Sequence, residues 1–311
     1  MMQTRTLGKQ GPPVSVIGFG AWPIGGQMGA VARTDALASI RHSIARGSTL
    51  IDTAEAYGPG HSEDLIGEAI KGQRDKVFLA TKVSGGEGHL AYQRVVRACD
   101  ASLTRLQTDY IDLYQCHWVD PQTPVEESMR AMDDLVRAGK VRYVGVSNFD
   151  VNLLRRCLTV RHVDALQPVY NLFERGIEAA LLPFCQEQGI GILAYSPLAK
   201  GVLTGKYTRD TVFPPDDERS HLASYQGAQW RATLETVERL KGLAQAWGIT
   251  PGQLAIAWVL AHPAVTVVLV GAKNVRQVEE NVGAAAMTFS PEQLQAIDQA
   301  VDGYRPPRFG E

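Results

Sequence analysis

The chain has 311 residues, 45% of them apolar, and a formal net charge of −2. That is enough to bury a sizeable core, and too close to neutral for a surface built to hold nucleic acid or an anionic membrane. The opening MMQTRTLGKQGPPVS has no apolar run of the signal-peptide kind, and the most apolar stretch, around residues 265–272, falls far short of the roughly 20 residues that span a bilayer. Four scattered cysteines, Cys99, Cys116, Cys157 and Cys185, show neither a CxxC pair nor zinc spacing. Reduced thiols, a cytoplasmic setting and no bound metal are expected.

Along the chain, strand-like and helix-like stretches alternate. Residues 16–22 read as a strand. Leu37, Ile40 and Ile44 recur at helical spacing, so 35–47 reads as a helix closed by Gly47. A strand over 49–53 precedes a helix over 62–71, with Ser62 as its cap. Strands over 77–83, 110–117 and 141–147 each precede a helix, over 91–106, 124–138 and 150–157, the last capped by Asp150. Then come a strand over 165–170, a helix over 177–188 and a strand over 191–195. A long polar stretch runs over 200–226. Helices over 228–247 and 251–261 lead to a β-branched strand over 265–270 and a helix over 274–285. An extra helix over 290–301 precedes a Pro-rich tail. Eight strands, several of them continuous apolar runs, point to a single α/β domain over 1–311, a (β/α)8 TIM barrel with extra C-terminal helices and long active-site loops. Functional residues of such a barrel lie at the C-terminal ends of its strands.

Those ends carry a coherent set. The second strand ends in Asp52, with Tyr57 five positions on, the third in Lys82 and the fourth in His117. A phenol is a poor acid at neutral pH, and an adjacent ammonium stabilises its phenolate and lowers its pKa. A carboxylate would hold that ammonium charged, and an imidazole would orient a carbonyl oxygen beside the phenol. Each residue alone has a plain structural reading; the four together at successive strand ends point to acid–base chemistry.

With these motifs the sequence resembles the aldo-keto reductase family, from GFGAW at 18–22 through DTAEAYG at 52–58 to GAKNVRQVEEN at 271–281. The pair His117–Trp118 resembles the bacterial branch of that family, similar to potassium-channel β-subunits and inositol-catabolism members. The resemblance implies that Tyr57 is the general acid, that Asp52 and Lys82 tune it, and that His117 positions the carbonyl. It implies an aromatic wall of Trp22, Tyr57, His117 and Trp118 around the substrate. For the cofactor it implies Gly20, Ala21, Trp22 and Asp52 near the nicotinamide, Ser147, Asn148 and Gln167 on its carboxamide, and Tyr195 stacked on its ring. Ser196, Pro197, Leu198, Gly201 and Lys206 would fold over the pyrophosphate. Gly271, Lys273, Gln277, Glu280 and Asn281 would receive the adenosine end, with Lys273 on the 2′-phosphate.

Many NADPH-selective members place an arginine where Gln277 stands, and Arg276 is expected on another face of that helix. NADP(H) is therefore the expected cofactor, with NAD(H) as the alternative. The expected partner is a small carbonyl or alcohol, without nucleic acid or membrane, and no pattern fixes an oligomeric state. The polar stretch, with His221 and Tyr225, and the tail over 304–311 are the expected selectivity elements. A cofactor-sensing subunit with little turnover is the alternative function, and the intact tetrad speaks against it. A hydrolase is disfavoured because GVSNF at 145–149 fails the GxSxG pattern.

Overall fold

The computed structural model of the protein describes residues 2–215 and 217–304. A short antiparallel hairpin comes first, β1 (Thr4–Thr6) and β2 (Pro13–Ser15). Parallel strands follow: β3 (Ile17–Gly20), β4 (Leu50–Asp52), β5 (Phe78–Val83), β6 (Ile111–Cys116), β7 (Val141–Ser147), β8 (Ala165–Gln167), β9 (Gly191–Ala194) and β10 (Val265–Gly271). They close into a barrel in the order β10-β3-β4-β5-β6-β7-β8-β9. The helices are α1 (Arg33–Ala45), α2 (His61–Ile70), α3 (Tyr92–Leu106), α4 (Val125–Arg137), α5 (Val151–Leu158), α6 (Leu181–Gln188), α7 (Gly227–Ala246), α8 (Pro251–Ala261), α9 (Val275–Gly283) and α10 (Pro291–Val301). This is the (β/α)8 barrel expected from the sequence. Among the described residues no helix is long and apolar enough to cross a membrane.

The two-residue period of a strand sorts the barrel into layers. Leu50, Ala80, Leu113, Ala165, Leu193, Val267 and Leu269 fill its lower part, together with Leu7 and Val14 from the hairpin. Two positions further on, β4, β5, β6 and β8 bring Asp52, Lys82, Gln115 and Gln167, all buried. On the opposite face of the same strands, Ile51, Leu79, Tyr114 and Leu166 belong to the outer core under the helices. An apolar floor and a polar upper layer therefore come from one alternation, and register aligns Lys82 with Gln115 and Ser147 with Gln167.

Several expectations need correction. The hairpin was not legible: two three-residue strands, the second starting at Pro13, carry no strand signal, and the hairpin is anchored by burial of Leu7 and Val14 and by Arg5, whose guanidinium donates to the carbonyls of Leu260 and Val265. Helix α6 starts at Leu181 rather than 177, because Pro183 has no N–H for a preceding turn and fits only the first turn. Strand β8 stops at Gln167 because Pro168 cannot donate to the ladder. Ser62 is no cap: α2 begins at His61, and the Ser62 hydroxyl accepts from Thr53 and donates to the carbonyl of Ala21. Within the polar stretch the chain forms 3-10 turns over Ala199–Thr204, Glu218–His221 and Ala223–Tyr225. Of the tail, residues 305–311 lie outside the described residues.

Caps set the helix starts that frame the mouth. Asp150 caps α5 as expected, and Asn274 caps α9 through the amide of Gln277. Thr250 forms a capping box with Gln253 at α8, and its hydroxyl also donates to Glu280 at 2.8 Å. Thr250→Ala is expected to lower the unfolding free energy by about 1 kcal/mol, read as a shifted urea midpoint at unchanged slope.

Candidate active site

Strand β5 delivers Lys82 into the fully buried upper layer, where its three ammonium protons find three acceptors. Nζ lies 2.7 Å from Asp52 Oδ2, 2.8 Å from the carbonyl oxygen of Thr53 and 3.1 Å from the Tyr57 hydroxyl. Tyr57 sits in the turn after β4, buried, with the Lys82 ammonium 4.9 Å from its ring centre. Asp52, Tyr57, Lys82 and His117 are thus brought together at the C-terminal end of the barrel.

The electrostatics refine the sequence reading. Burial is the largest influence on Tyr57 and pushes its pKa up; Lys82 pulls it down, Asp52 pushes it up, and the net direction is upward. The expectation of a phenol below its ordinary value is therefore corrected: desolvation of the phenolate outweighs the ammonium. Burial alone would lower Lys82, but Asp52 and Tyr57 reverse that and hold it charged. Burial, with the charge of Lys82, pushes His117 down to about 3, so its imidazole is neutral across the physiological range.

The aromatic wall also forms. Trp22 meets the Tyr57 ring edge-on at 4.9 Å between centres, Tyr57 meets His117 at 5.6 Å, and His117 stacks on Trp118 at 6.0 Å. Trp118 is 47% exposed, unusual for so large a ring and suited to the rim of a mouth. From the segment after β9, Glu218 accepts from Trp22 Nε1 at 3.4 Å and pairs with Lys200 at 2.9 Å. Tyr225 does not line the wall: it stacks on Trp230 and its hydroxyl donates to the carbonyl of Ala199. His221 is exposed against the carbonyl of Pro215.

Several of the positions implied for a cofactor are joined to one another and to His117 and Asp52 by hydrogen bonds. Ser147 Oγ donates to the Gln167 carbonyl at 2.8 Å, and Asn148 Nδ2 donates to the His117 carbonyl at 3.1 Å. The Tyr195 hydroxyl donates to Asn148 Oδ1 at 2.9 Å. Gln167 turns its amide nitrogen inward to Asp52 Oδ1 at 2.9 Å. Asn148 and Ser196 hold positive φ, at 62° and 56°, as do Ala199 and Lys200. Such backbone is uncommon outside glycine and clusters at functional loops. Ser196, Pro197 and Leu198 lead into the 3-10 turn that holds Gly201, with Lys206 just beyond it. On the other side, β3 ends at Gly20, in register with Gly271, and Ala21 N donates to the Asp52 carbonyl at 2.8 Å. Asn281 donates to the Gly271 carbonyl, Gln277 accepts from the Lys273 amide, and Lys273 Nζ reaches the carbonyl of Met28.

Sequence reasoning missed two residues here. Gln115 joins the Asp52 network from β6, donating to Oδ1 at 3.3 Å. Arg219 is buried, paired with Asp217 at 2.8 Å through Nε, and lies close enough to Lys206 and Lys273 to lower the pKa of both. Arg276 also lowers Lys206, so its charge reaches the same cluster. The only sequence signal for Arg219 was a cation in a polar stretch, which most solvated loops share.

Comparison with known proteins bears on the family and the fold. The family model described as Aldo/keto reductase family matches residues 16–302. Aldo-keto reductase YhdN of Bacillus subtilis is 39% identical, covering 97% of this chain and 94% of its own. Aldo-keto reductase yakc [NADP(+)] of Schizosaccharomyces pombe is 36% identical, covering 96% of this chain and 91% of its own. Among solved structures, the glycerol dehydrogenase AKR11B4 from Gluconobacter oxydans superposes with a TM-score of 0.88 at 33% identity over 98% of this chain and 97% of its own. An aldo-keto reductase from Klebsiella pneumoniae, solved with NADPH, gives 0.78 at 34% over 100% and 98%. By family model, sequence relatives and fold alike, the chain belongs to the aldo/keto reductase family of oxidoreductases.

Proposed function

We propose that the protein reduces small aldehydes or ketones with NADPH, and oxidises the corresponding alcohols in reverse, with Tyr57 as the general acid and base. The observation that carries this reading is the buried chain from Asp52 through Lys82 to the Tyr57 hydroxyl, with contacts of 2.7 and 3.1 Å. A phenol raised by burial keeps its proton at neutral pH, and the ammonium at 3.1 Å stabilises the phenolate left when that proton moves to a carbonyl oxygen. Neutral His117 donates or accepts one hydrogen bond and sets the carbonyl beside Tyr57 without adding charge. Trp22 and Trp118 exclude water and give an apolar wall. When bound, the nicotinamide supplies the hydride for the carbonyl carbon.

The residues fit such a cofactor. Burial lowers Lys206, and Arg219, Lys273 and Arg276 lower it further. Lysines depressed by neighbouring cations are stabilised by an anion placed among them, as a 2′-phosphate or pyrophosphate would be. The NADPH complex of the Klebsiella protein and the NADP(+) in the yeast relative's name support NADPH over NADH. Titration with each cofactor, followed by tryptophan quenching, and then a carbonyl panel read by reduced-nicotinamide absorbance test the reading. NADPH binding with turnover is expected; binding without turnover of any carbonyl or alcohol would overturn it. Lys273→Ala is expected to weaken NADPH binding roughly tenfold, the scale of one charge-assisted hydrogen bond, and to leave NADH binding unchanged.

A further inference from the structure

The upper layer of the barrel holds a polar group that the chemistry above does not use. Gln115 is fully buried on β6, in register with Lys82. Its Nε2 lies 3.3 Å from Asp52 Oδ1, and its Oε1 lies 3.4 Å from Gln167 Nε2, which itself donates to the same Oδ1 at 2.9 Å. Asp52 Oδ2 is left to Lys82 at 2.7 Å. Room for this side chain is made on the next strand. Gly145 pairs with Gln115 across β7, and a Cβ placed there would stand 2.9 Å from Gln115 Cγ and 3.1 Å from the Ala165 carbonyl oxygen. Barrel layers are usually filled by branched apolar side chains. Here two amides and a glycine are arranged around one carboxylate oxygen.

We propose that Gln115 is a positioning residue that, with Gln167, clamps Oδ1 of Asp52 so that Oδ2 faces Lys82 and the ammonium stays charged beside Tyr57. The inference rests on reading Tyr57 as the acid and base. Inside a protein an ion pair competes with its neutral form, in which the proton has moved from nitrogen to carboxylate. Donors on the other carboxylate oxygen favour the ionised form. Without them the proton shifts from Lys82 Nζ to Asp52 Oδ2, and the phenolate of Tyr57 loses its cation. The titratable groups facing this cluster are Lys82 on β5, Tyr57 after β4, His117 after β6 and Tyr195 after β9, with Glu174 acting on Tyr195. His117 is neutral, so the charges acting on Tyr57, beside the effect of burial, are those of the Asp52–Lys82 pair.

Gln115→Met tests this, because it keeps an unbranched side chain for the Gly145 cradle and removes the donor. Tyr57 is followed by NMR of carbon-labelled tyrosine, as the signal that Tyr57→Phe lacks. Its titration is expected to move up by about one pH unit, the scale of losing one neighbouring charge partly screened by its partner. Alcohol oxidation needs the phenolate, so its kcat at neutral pH is expected to fall roughly tenfold, carbonyl reduction less, and KM for the cofactor not at all. Gln115→Glu provides the second variant. Its protonated acid donates to Oδ1 as the amide does, so it is expected to follow the wild type on the acid side and to resemble the Met variant as Glu ionises. An unshifted Tyr57 titration in the folded Met variant overturns the proposal. If that variant does not fold, an unshifted titration in the Glu variant at alkaline pH does the same. A shifted titration in a protein that turns over neither carbonyl nor alcohol supports the clamp and sinks the functional reading.

Discussion

Tyr57→Phe is expected to bind NADPH as the wild type does and to lose turnover by about 10²- to 10⁴-fold, the contribution of a positioned general acid. The substitution removes one oxygen and leaves the ring between Trp22 at 4.9 Å and His117 at 5.6 Å. Packing therefore survives, and Lys82 retains Asp52 and the Thr53 carbonyl as acceptors. What is lost is the proton delivered as the carbonyl oxygen gains charge, so the effect belongs in kcat rather than in cofactor affinity. His117 cannot take over. Its imidazole is held down to about 3 by burial and by Lys82, so it carries no acidic proton at neutral pH. Single-turnover reduction in the variant, with tryptophan quenching as the control for binding, reads both halves. Turnover within tenfold of wild type would remove Tyr57 from the role of acid.

The architecture and the core of this site were legible because both follow from periodicity. Asp52 and Lys82 each stand two positions beyond an inward apolar residue, Leu50 and Ala80, at or one short of the end of their strand, and each carries a charge into an apolar run. A reader who knows that barrels work at strand ends finds them there. Gln115 holds the same penultimate place in IDLYQC, one alternation from Leu113, but its amide is neutral and carries no charge to mark it. Nothing in the sequence distinguishes a glutamine packed on a carboxylate from one at an edge; the Gly145 cradle becomes visible only once β6 and β7 are paired. The cations were half legible. Lys273 follows a β-branched strand and starts a helix, a position with an anion-binding rationale. Arg219 depends on the 3-10 turn capped by Asp217, which local propensity does not announce. The hairpin β1–β2 is too short for any pattern, and long-range contacts, the burial of Leu7 and Val14 and the Arg5 bonds to Leu260 and Val265, hold it.

Lys82→Met is expected to abolish turnover and to cost about 3–5 kcal/mol of stability, the penalty for leaving a buried carboxylate without its cation. Asp52 would keep only the amides of Gln115 and Gln167. Adding Asp52→Asn should return a large part of that stability and none of the activity, because a neutral amide needs no cation. The pH dependence gives the same pair a second signature. Lys82 is held above its usual value of 10.5, so its contribution is complete below that pH and is lost as pH rises through the folded-state value. His117, depressed from 6.5 to about 3, acts at the other end: its contribution is complete above 6.5 and is lost as pH falls toward 3. Urea midpoints of the wild type should therefore form a plateau between these limits. In Lys82→Met the alkaline fall should flatten, and the acid side should change sign in part, since protonating the stranded Asp52 now relieves an unpaired charge. A variant whose stability matches the wild type at neutral pH would show that the ion pair carries no net stabilisation, and that the buried lysine is retained for its charge beside Tyr57 alone.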